Sequence, residues 1–488
     1  MNPFGISDEF QTALENAAEK LKAWISPDTE IIRVSSHIDA DGIAAAGIIC
    51  TALDRLGAHF HLRILRQLEP QYINSLVQEK NTCYIFSDFG SGQLHLLAQA
   101  FPSQNVLILD HHEPLNLPKK PKNIIEINPH LFKVNGSIEI SGAGVSFLLA
   151  YFLDPKLNLD LLPLALVGAI GDTQDKAKQH TLLGLNAKIA ELGVKETVIQ
   201  IEKDLYFQYS EIKPISKAIS ETTDPYLPHL TGNEDACVRF LGEVGIPLQA
   251  GQNWRTLSDL TTEEKRLLTT QLTQQILSHN GTSEQASAII GTNYKILAET
   301  ESYLKDARSY SSLLNACGRT RNPGIGVAVC LGDRAEHYRR AQDLLIEYQT
   351  RINTLLEKIK HPGIIQESDY VQYFVIDESD ETLVGTIATI SSKTKLAKPS
   401  KPILGFAKSE ENTYKISARA SDTLIKKGLH LGLALRKTLS ELQLDKKGFL
   451  AGGHDAAAGG RIPISEQSAF IETLNKIIKQ QIDKQLVS

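Results

Sequence analysis

The alternation of apolar and polar positions organises the first third of the chain. Residues 8–25 carry apolar positions at helical spacing and predict an amphipathic helix. Glu30–Ser36 is β-branched and strand-like, and the small, apolar run from Gly42 to Ile49 predicts a helix behind it. The same alternation gives strands at His59–Leu65, Thr82–Ser87 and Asn105–Leu109, with helices at Gln71–Glu79 and Gln93–Ala100 between them. Strands alternating with helices predict an α/β domain with a doubly wound parallel sheet, whose ligands bind beyond the carboxyl ends of the strands.

Further along, residues 142–210 read as helical, opened by the turn Ser141-Gly142-Ala143-Gly144, and residues 211–360 as largely helical with Gly/Pro/Asn breaks. From Tyr370 the text turns β-rich at Tyr373–Asp377, Pro402–Ala407 and Tyr414–Arg419. A helix over Leu429–Leu442 and a glycine-rich run follow. The expected organisation is an α/β domain over 1–210, a helical inserted or connecting region over 211–369, and a smaller α/β domain over 370–488.

Composition narrows the class. A chain of 488 residues with 42% apolar and 22% charged content suits a soluble protein of two or three domains. The apolar stretch Leu159–Ile170 is interrupted by Asp160 and Pro163 and is too short to cross a bilayer. The N-terminus has no basic and apolar leader pattern, and the five cysteines (Cys50, Cys83, Cys237, Cys317 and Cys330) are scattered; the expectation is a reduced, cytoplasmic protein without a membrane role. Net charge is −6, yet residues 381–488 hold 17 Lys/Arg against 10 Asp/Glu, leaving an acidic body and a basic C-terminal lobe. That lobe suits a grip on a polyanion, and a solvated lysine-rich surface fits the same count.

The chemistry-bearing residues fall where the sheet rule puts ligands. His37-Ile38-Asp39-Ala40-Asp41-Gly42 follows the first strand, Ser87-Asp88 the third and Asp110-His111-His112 the fourth, while Asp172 ends the apolar segment Leu161–Ile170. A strand running through His37, Asp39 and Asp41 would project all three to one face. Asp88 and Asp172 taken singly read as helix caps; as the middle acid, Asp88 is the candidate to bridge two metals. His111 and His112 cannot share one direction, so one would ligate metal and the other meet substrate, with Asp110 holding an imidazole by its second nitrogen. Clustered acids repel unless cations neutralise them, and four aspartates match two divalent ions. A carboxylate and imidazole set without thiolate points to manganese, with magnesium as the second choice. Two such ions about 3.5–4 Å apart can hold a bridging water and stabilise the leaving oxygen of attack on phosphorus. At the C-terminus, Gly452-Gly453-His454 within a run ending at Gly460, with Ser417 and Arg419 on a preceding strand, makes a candidate backbone clamp; a flexible turn reads the same way.

In their order and spacing these motifs resemble the DHH phosphoesterase superfamily, with DHH at 110–112 and the GGH of the DHH-associated domain at 452–454. Asp306-Ala307-Arg308, Leu313–Arg319 and Gly428–Arg436 resemble the archaeal RecJ-like nucleases, a group that includes the GINS-associated nuclease, while residues 211–300 show little to match. The resemblance implies a manganese-dependent exonuclease on single-stranded DNA, usually 5′ to 3′, and in some members RNA. It further implies His37, Asp39 and Asp88 on one ion, and Asp41, Asp88, His111 and Asp172 on the other. His112 would contact the scissile phosphate; Arg419, Gly453 and His454 would hold the nucleic-acid backbone. Association with the GINS complex at the replicative helicase is the implied partnership. Two other readings stay open: a phosphoesterase for short oligonucleotides, cyclic dinucleotides or pyrophosphate, and a replisome scaffold similar to a eukaryotic helicase subunit.

Overall fold

The computed structural model describes residues 2–25, 31–79, 83–115, 117, 121–207, 209–222, 225–279, 281–377, 381–394, 396–409 and 412–485. Glu30 and Thr82, where two strands were expected to open, lie outside these. The chain divides into two compact units, one of Met1–Glu221 with Pro228–Ile346 and one of Thr222–Leu227 with Glu347–Ser488.

The first unit is built on strands β1 (Ile32–His37), β2 (Phe60–Leu65), β3 (Cys83–Ser87), β4 (Asn105–Leu109) and β5 (Ile124–Ile127), in the order β2-β1-β3-β4-β5 and all parallel. Helices α1 (Asp8–Trp24), α2 (Ala40–Arg55), α3 (Pro70–Gln78), α4 (Leu94–Ala100), α5 (Gly142–Leu153) and α6 (Leu162–Gly171) cover it. Ile73, Leu76, Leu94 and Leu97 from α3 and α4 pack with Tyr84, Phe86, Val106 and Ile108 on one face of the sheet. On the other face, α2 lies against β1 and α5 against β3 and β4. Helices α2, α5 and α6 are apolar nearly all round and buried along nearly their whole length. Such helices belong inside a core, where they hold the strand ends rigidly. The strand order reverses between β1 and β3, which makes their carboxyl ends the crevice of a doubly wound sheet.

Two expectations are corrected here. Residues 142–210 are not helical throughout: after α6 and a helix at Gly184–Lys195, Ile199–Leu205 is a strand. It pairs antiparallel with Ile290–Ile296, a second strand inside the supposedly helical stretch. Each is stabilised by a partner distant in sequence, which local periodicity does not register. Between them lie helices Ile215–Glu221, Glu234–Val244, Thr262–Ser278 and Ser283–Ser287. Helices Ala307–Arg319 and Pro323–Cys330 come after the second strand.

In the second unit, six strands run in the order Gln366–Glu367, Gln372–Ile376, Ile403–Lys408, Thr413–Arg419, Ala457–Pro463 and Ala451–Gly453. Helices Leu431–Glu441 and Gln467–Gln485 back one face through Leu435, Leu439, Phe470 and Leu474. Helix Val384–Lys393 backs the other through Val384, Ile387 and Ala388.

Candidate metal centre

β1 ends at His37, so the strand does not run on through Asp39 and Asp41 as the spacing of two had implied. Asp39 is instead the N-cap of α2, its Oδ1 accepting from Gly42 N at 3.1 Å, and Asp41 lies in the first helical turn. The turn into the helix brings about the convergence that a strand face was expected to give. Both Asp41 oxygens accept backbone N–H groups at the start of α5, from Gly142 at 2.7 Å and Ala143 at 2.9 Å.

Asp88 follows β3 with φ 61°, a left-handed conformation that non-glycine residues adopt at a cost and that concentrates at functional sites. Its side chain is buried against Gly142, where a Cβ would lie 2.5 Å from Asp88 Oδ1. Asp88 Oδ2 is 3.4 Å from His37 Nδ1, and Asp88 Oδ1 is 3.1 Å from His111 Nε2. Two groups therefore meet at this carboxylate. His37, Asp39 and Asp88 form one; Asp41, His111 and Asp172 form the other, with ligand atoms in each within 4.8 Å of one another, and Asp88, His111 and His112 meet the same limit. His37 Nδ1 lies 3.0 Å from Asp39 Oδ2, and His111 Nε2 lies 3.6 Å from Asp41 Oδ2 and 3.9 Å from Asp172 Oδ2.

The donor atoms fit divalent cations. His37 Nδ1 and Asp88 Oδ1 are buried yet form no well-aligned hydrogen bond, although opposite partners lie close. Lone pairs aimed at a shared centre rather than at each other have that geometry. Burial and then the charge of Asp88 push the Asp41 carboxyl well above its usual range, and burial likewise raises Asp172. Burial would also raise Asp88, but the adjoining imidazoles of His111 and His37 outweigh it and hold this carboxylate well below the usual range. Burial would lower His37, yet Asp39 and Asp88 lift it to about 11. The site is a strongly negative field that draws positive charge. All five cysteines are free and buried, and none joins the described groups.

Asp110 directly follows β4 and holds both histidines through its side chain. Its Oδ1 accepts from His112 Nδ1 at 2.8 Å, His111 N at 2.8 Å and His112 N at 3.1 Å, while Oδ2 accepts from Ser91 N at 2.9 Å. His111 is buried and His112 is exposed at the rim. Asp172 caps the C-terminal end of α6, where helix carbonyls disfavour an anion.

Among the C-terminal residues, the glycine run is not a flexible turn but a hairpin, because its small residues pair as strands. Ser417 faces Gly459, and Gly459 faces Gly452; His454 and Asp455 form the exposed tip. The carbonyls of His454 and Asp455 accept Gly432 N and Leu431 N at the start of helix Leu431–Glu441, so those amides are not open to an anion. Arg419 Nε donates to Thr389 Oγ1 at 2.9 Å, and among the described residues no carboxylate lies within ion-pair distance of this arginine. Sequence reading missed Gln174, Asn186 and Gly136 beside the metal ligands; the two-residue step from Asp172 to Gln174 was the available signal.

Comparison with known proteins identifies relatives of this fold. Residues 31–169 match the DHH family, N-terminal domain, residues 209–290 the DHH-CID domain, and residues 369–480 the DHHA1 domain. The chain is 30% identical over 473 residues to an uncharacterized protein of Methanocaldococcus jannaschii, covering 96% of this chain and 98% of that one. It is 28% identical over 203 residues to the single-stranded-DNA-specific exonuclease RecJ of Bacillus subtilis, covering 38% of this chain and 25% of RecJ. RecJ of Thermus thermophilus, solved in complex with Mn2+, shares the fold at TM-score 0.55 and 18% identity over 96% of this chain, which spans 55% of that one. CDC45 of Entamoeba histolytica matches at TM-score 0.67 and 13% identity, over 96% and 99% of the two chains. Among the described residues, no helix is long and apolar enough to cross a membrane.

Proposed function

Because the chain belongs to the DHH family as a RecJ-like protein, we propose that it is a two-cation phosphodiesterase acting as a single-strand exonuclease. The observation that carries this reading is the pair of ligand groups joined at Asp88. His37, Asp39 and Asp88 would hold one cation, and Asp41, Asp88, His111 and Asp172 the other, manganese being preferred for this donor set and magnesium second. When bound, such a pair lowers the pKa of water and neutralises the oxygens of an in-line displacement at phosphorus.

The protein's own groups do the positioning. Asp110 fixes the ring of His112, which stands at the rim with room to meet the scissile phosphate. Asp41, Asp88 and His111 form the buried floor, and His37, Asp39 and Asp172 the half-buried rim, so a strand end can approach from the exposed side. Ser417, Arg419, Gly452, Gly453 and His454 would hold the nucleic-acid backbone. The half-buried Arg419, which has no carboxylate partner among the described residues, supports this assignment.

The likeness to CDC45 favours a second role as a replisome component, with the GINS complex as the partner, and the likeness to RecJ supports the cytoplasm as the place of work. An inactive scaffold fits less well, since all six ligand positions carry Asp or His and converge. A phosphoesterase restricted to dinucleotides would not need a basic clamp. The test is digestion of 5′- and 3′-labelled DNA and RNA strands with manganese added. Release of mononucleotides from the 5′ end of single-stranded DNA is expected, and affinity for GINS is read separately by pull-down. Cleavage of dinucleotides with long strands left intact would overturn the exonuclease reading.

A further inference from the structure

Gln174 is buried two residues beyond Asp172 and belongs to none of the ligand groups. Its Nε2 donates to Asp172 Oδ2 at 2.9 Å and to the Gly136 carbonyl at 2.8 Å. The same carbonyl is 2.7 Å from His111 Nδ1. A carbonyl can only accept, so His111 donates from Nδ1, which leaves Nε2 as the nitrogen that would face a cation among Asp88, Asp41 and Asp172. One amide thus joins two of the three ligands that are specific to the second cation position. It bonds to Asp172 directly and to His111 through a shared acceptor.

The amide cannot turn over. Gln174 Oε1 accepts from Asn186 Nδ2 at 2.7 Å, and a flip would set Oε1 against the Gly136 carbonyl and the Asp172 carboxylate. Asn186 is itself buried in helix Gly184–Lys195. Gly136 is required for the approach, since a Cβ there would lie 1.9 Å from the His111 carbonyl oxygen. The chemical type of the side chain matters as much as its reach. A lysine or arginine would neutralise Asp172 and repel a cation, whereas a neutral amide orients the carboxylate and leaves its charge available. Among the described residues, Gln174 is the sole hydrogen-bond donor to the Asp172 side chain. Thr173, between the two, is held at φ 58°, a strained conformation for a β-branched residue that sets both side chains on their targets.

On the two-cation reading, we infer that Gln174, locked by Asn186, is a positioning residue that sets the affinity of the Asp41/His111/Asp172 position while leaving that of His37/Asp39/Asp88 unchanged. The experiment is calorimetric titration of Mn2+ into the full chain without nucleic acid, for wild type, Gln174→Met, Asn186→Ala and Asp172→Asn. Wild type should bind two ions. Gln174→Met, which keeps length and volume, should weaken one of them about 10- to 100-fold and leave the other unchanged. Asn186→Ala should weaken the same ion by a smaller factor, and it carries the test should Gln174→Met fail to fold by circular dichroism. Turnover of both variants should recover when Mn2+ is raised by the factor lost in affinity, which a merely structural lesion would not do. Unchanged isotherms in folded Gln174→Met and Asn186→Ala, with a two-ion wild type, overturn the inference. A wild type or Asp172→Asn isotherm without a second, Asp172-dependent ion overturns the parent reading instead.

Discussion

The rings of His111 and His112 lie 4.3 Å apart centre to centre, tilted by 52°, and face different surroundings. His111 is buried with Nε2 among Asp88, Asp41 and Asp172, while His112 is exposed with Nδ1 held by Asp110. Consecutive side chains leaving a strand end point apart, and here one points to the floor and one to the mouth. His111→Ala should therefore reduce Mn2+ binding and hydrolysis together. His112→Ala should keep the metal isotherm and lower single-turnover hydrolysis about 100- to 1,000-fold. Equal losses of metal in both variants would contradict this division.

Asp88 supplies one oxygen to each ligand group, so its loss should affect both cations. Asn tolerates the left-handed backbone that Asp88 adopts, which makes Asp88→Asn the cleaner variant and Asp88→Ala the more strained one. Mn2+ at a hundred times its dissociation constant should stabilise wild type by about 2.7 kcal/mol per site. In Asp88→Asn this stabilisation should disappear and hydrolysis should fall to background, with the metal-free melting temperature little changed. Thermal melts with and without Mn2+ read the first effect, and a variant still stabilised by the metal would remove Asp88 from the bridging role.

The strand ends that carry His37, Asp88 and Asp110 were readable because each follows a short apolar run, and a parallel sheet places such ends in one crevice. The fifth strand was not read. Ile124–Ile127 has four residues, too few for periodicity to speak. Ile199–Leu205 is buried only at its two ends, with Ile201 exposed between them, and its partner begins at Ile290. At the site, identities were legible but routes were not: Asp39 and Asp41 converge through a helix start. Gln174 and Asn186 stayed invisible because amides carry no charge, and their roles arise from contacts across loops far apart in sequence.

A pH dependence separate from the metal centre arises in residues 245–264. Arg255 donates to both oxygens of Glu264, at 2.8 and 2.6 Å, and also to the carbonyl of Asp259 at 2.7 Å. Hydrogen bonds from Arg255 hold the Glu264 carboxyl down at about 2, against an ordinary value of 4.5. A depressed carboxyl stabilises the folded state fully above its unfolded value, and the contribution is lost as pH falls through the folded one. Glu264→Gln should therefore be less stable than wild type by about 1–2 kcal/mol at pH 7. That gap should close between about pH 5 and pH 2, as denaturant titrations at several pH values would register. A gap of the same size at pH 2 and pH 7 would rule out the ion pair as its source.

Arg419 offers the most direct view of how the second unit meets a polyanion. Burial lowers its guanidinium below the ordinary value, and its bonds go to the neutral Thr389 Oγ1 and Ala418 carbonyl. A cation held this way keeps its charge for an incoming phosphate, since no carboxylate among the described residues neutralises it. In an Asp88→Asn background, which prevents digestion, Arg419→Ala should weaken binding of a labelled single strand. It should also reduce the slope of log affinity against log salt by about one. Arg419→Lys should restore the slope more fully than the affinity, because lysine returns the charge without the planar fork. Fluorescence anisotropy across a salt series separates the two quantities. A slope unchanged in Arg419→Ala would mean that this arginine supports the Thr413–Arg419 strand and does not meet the phosphate backbone.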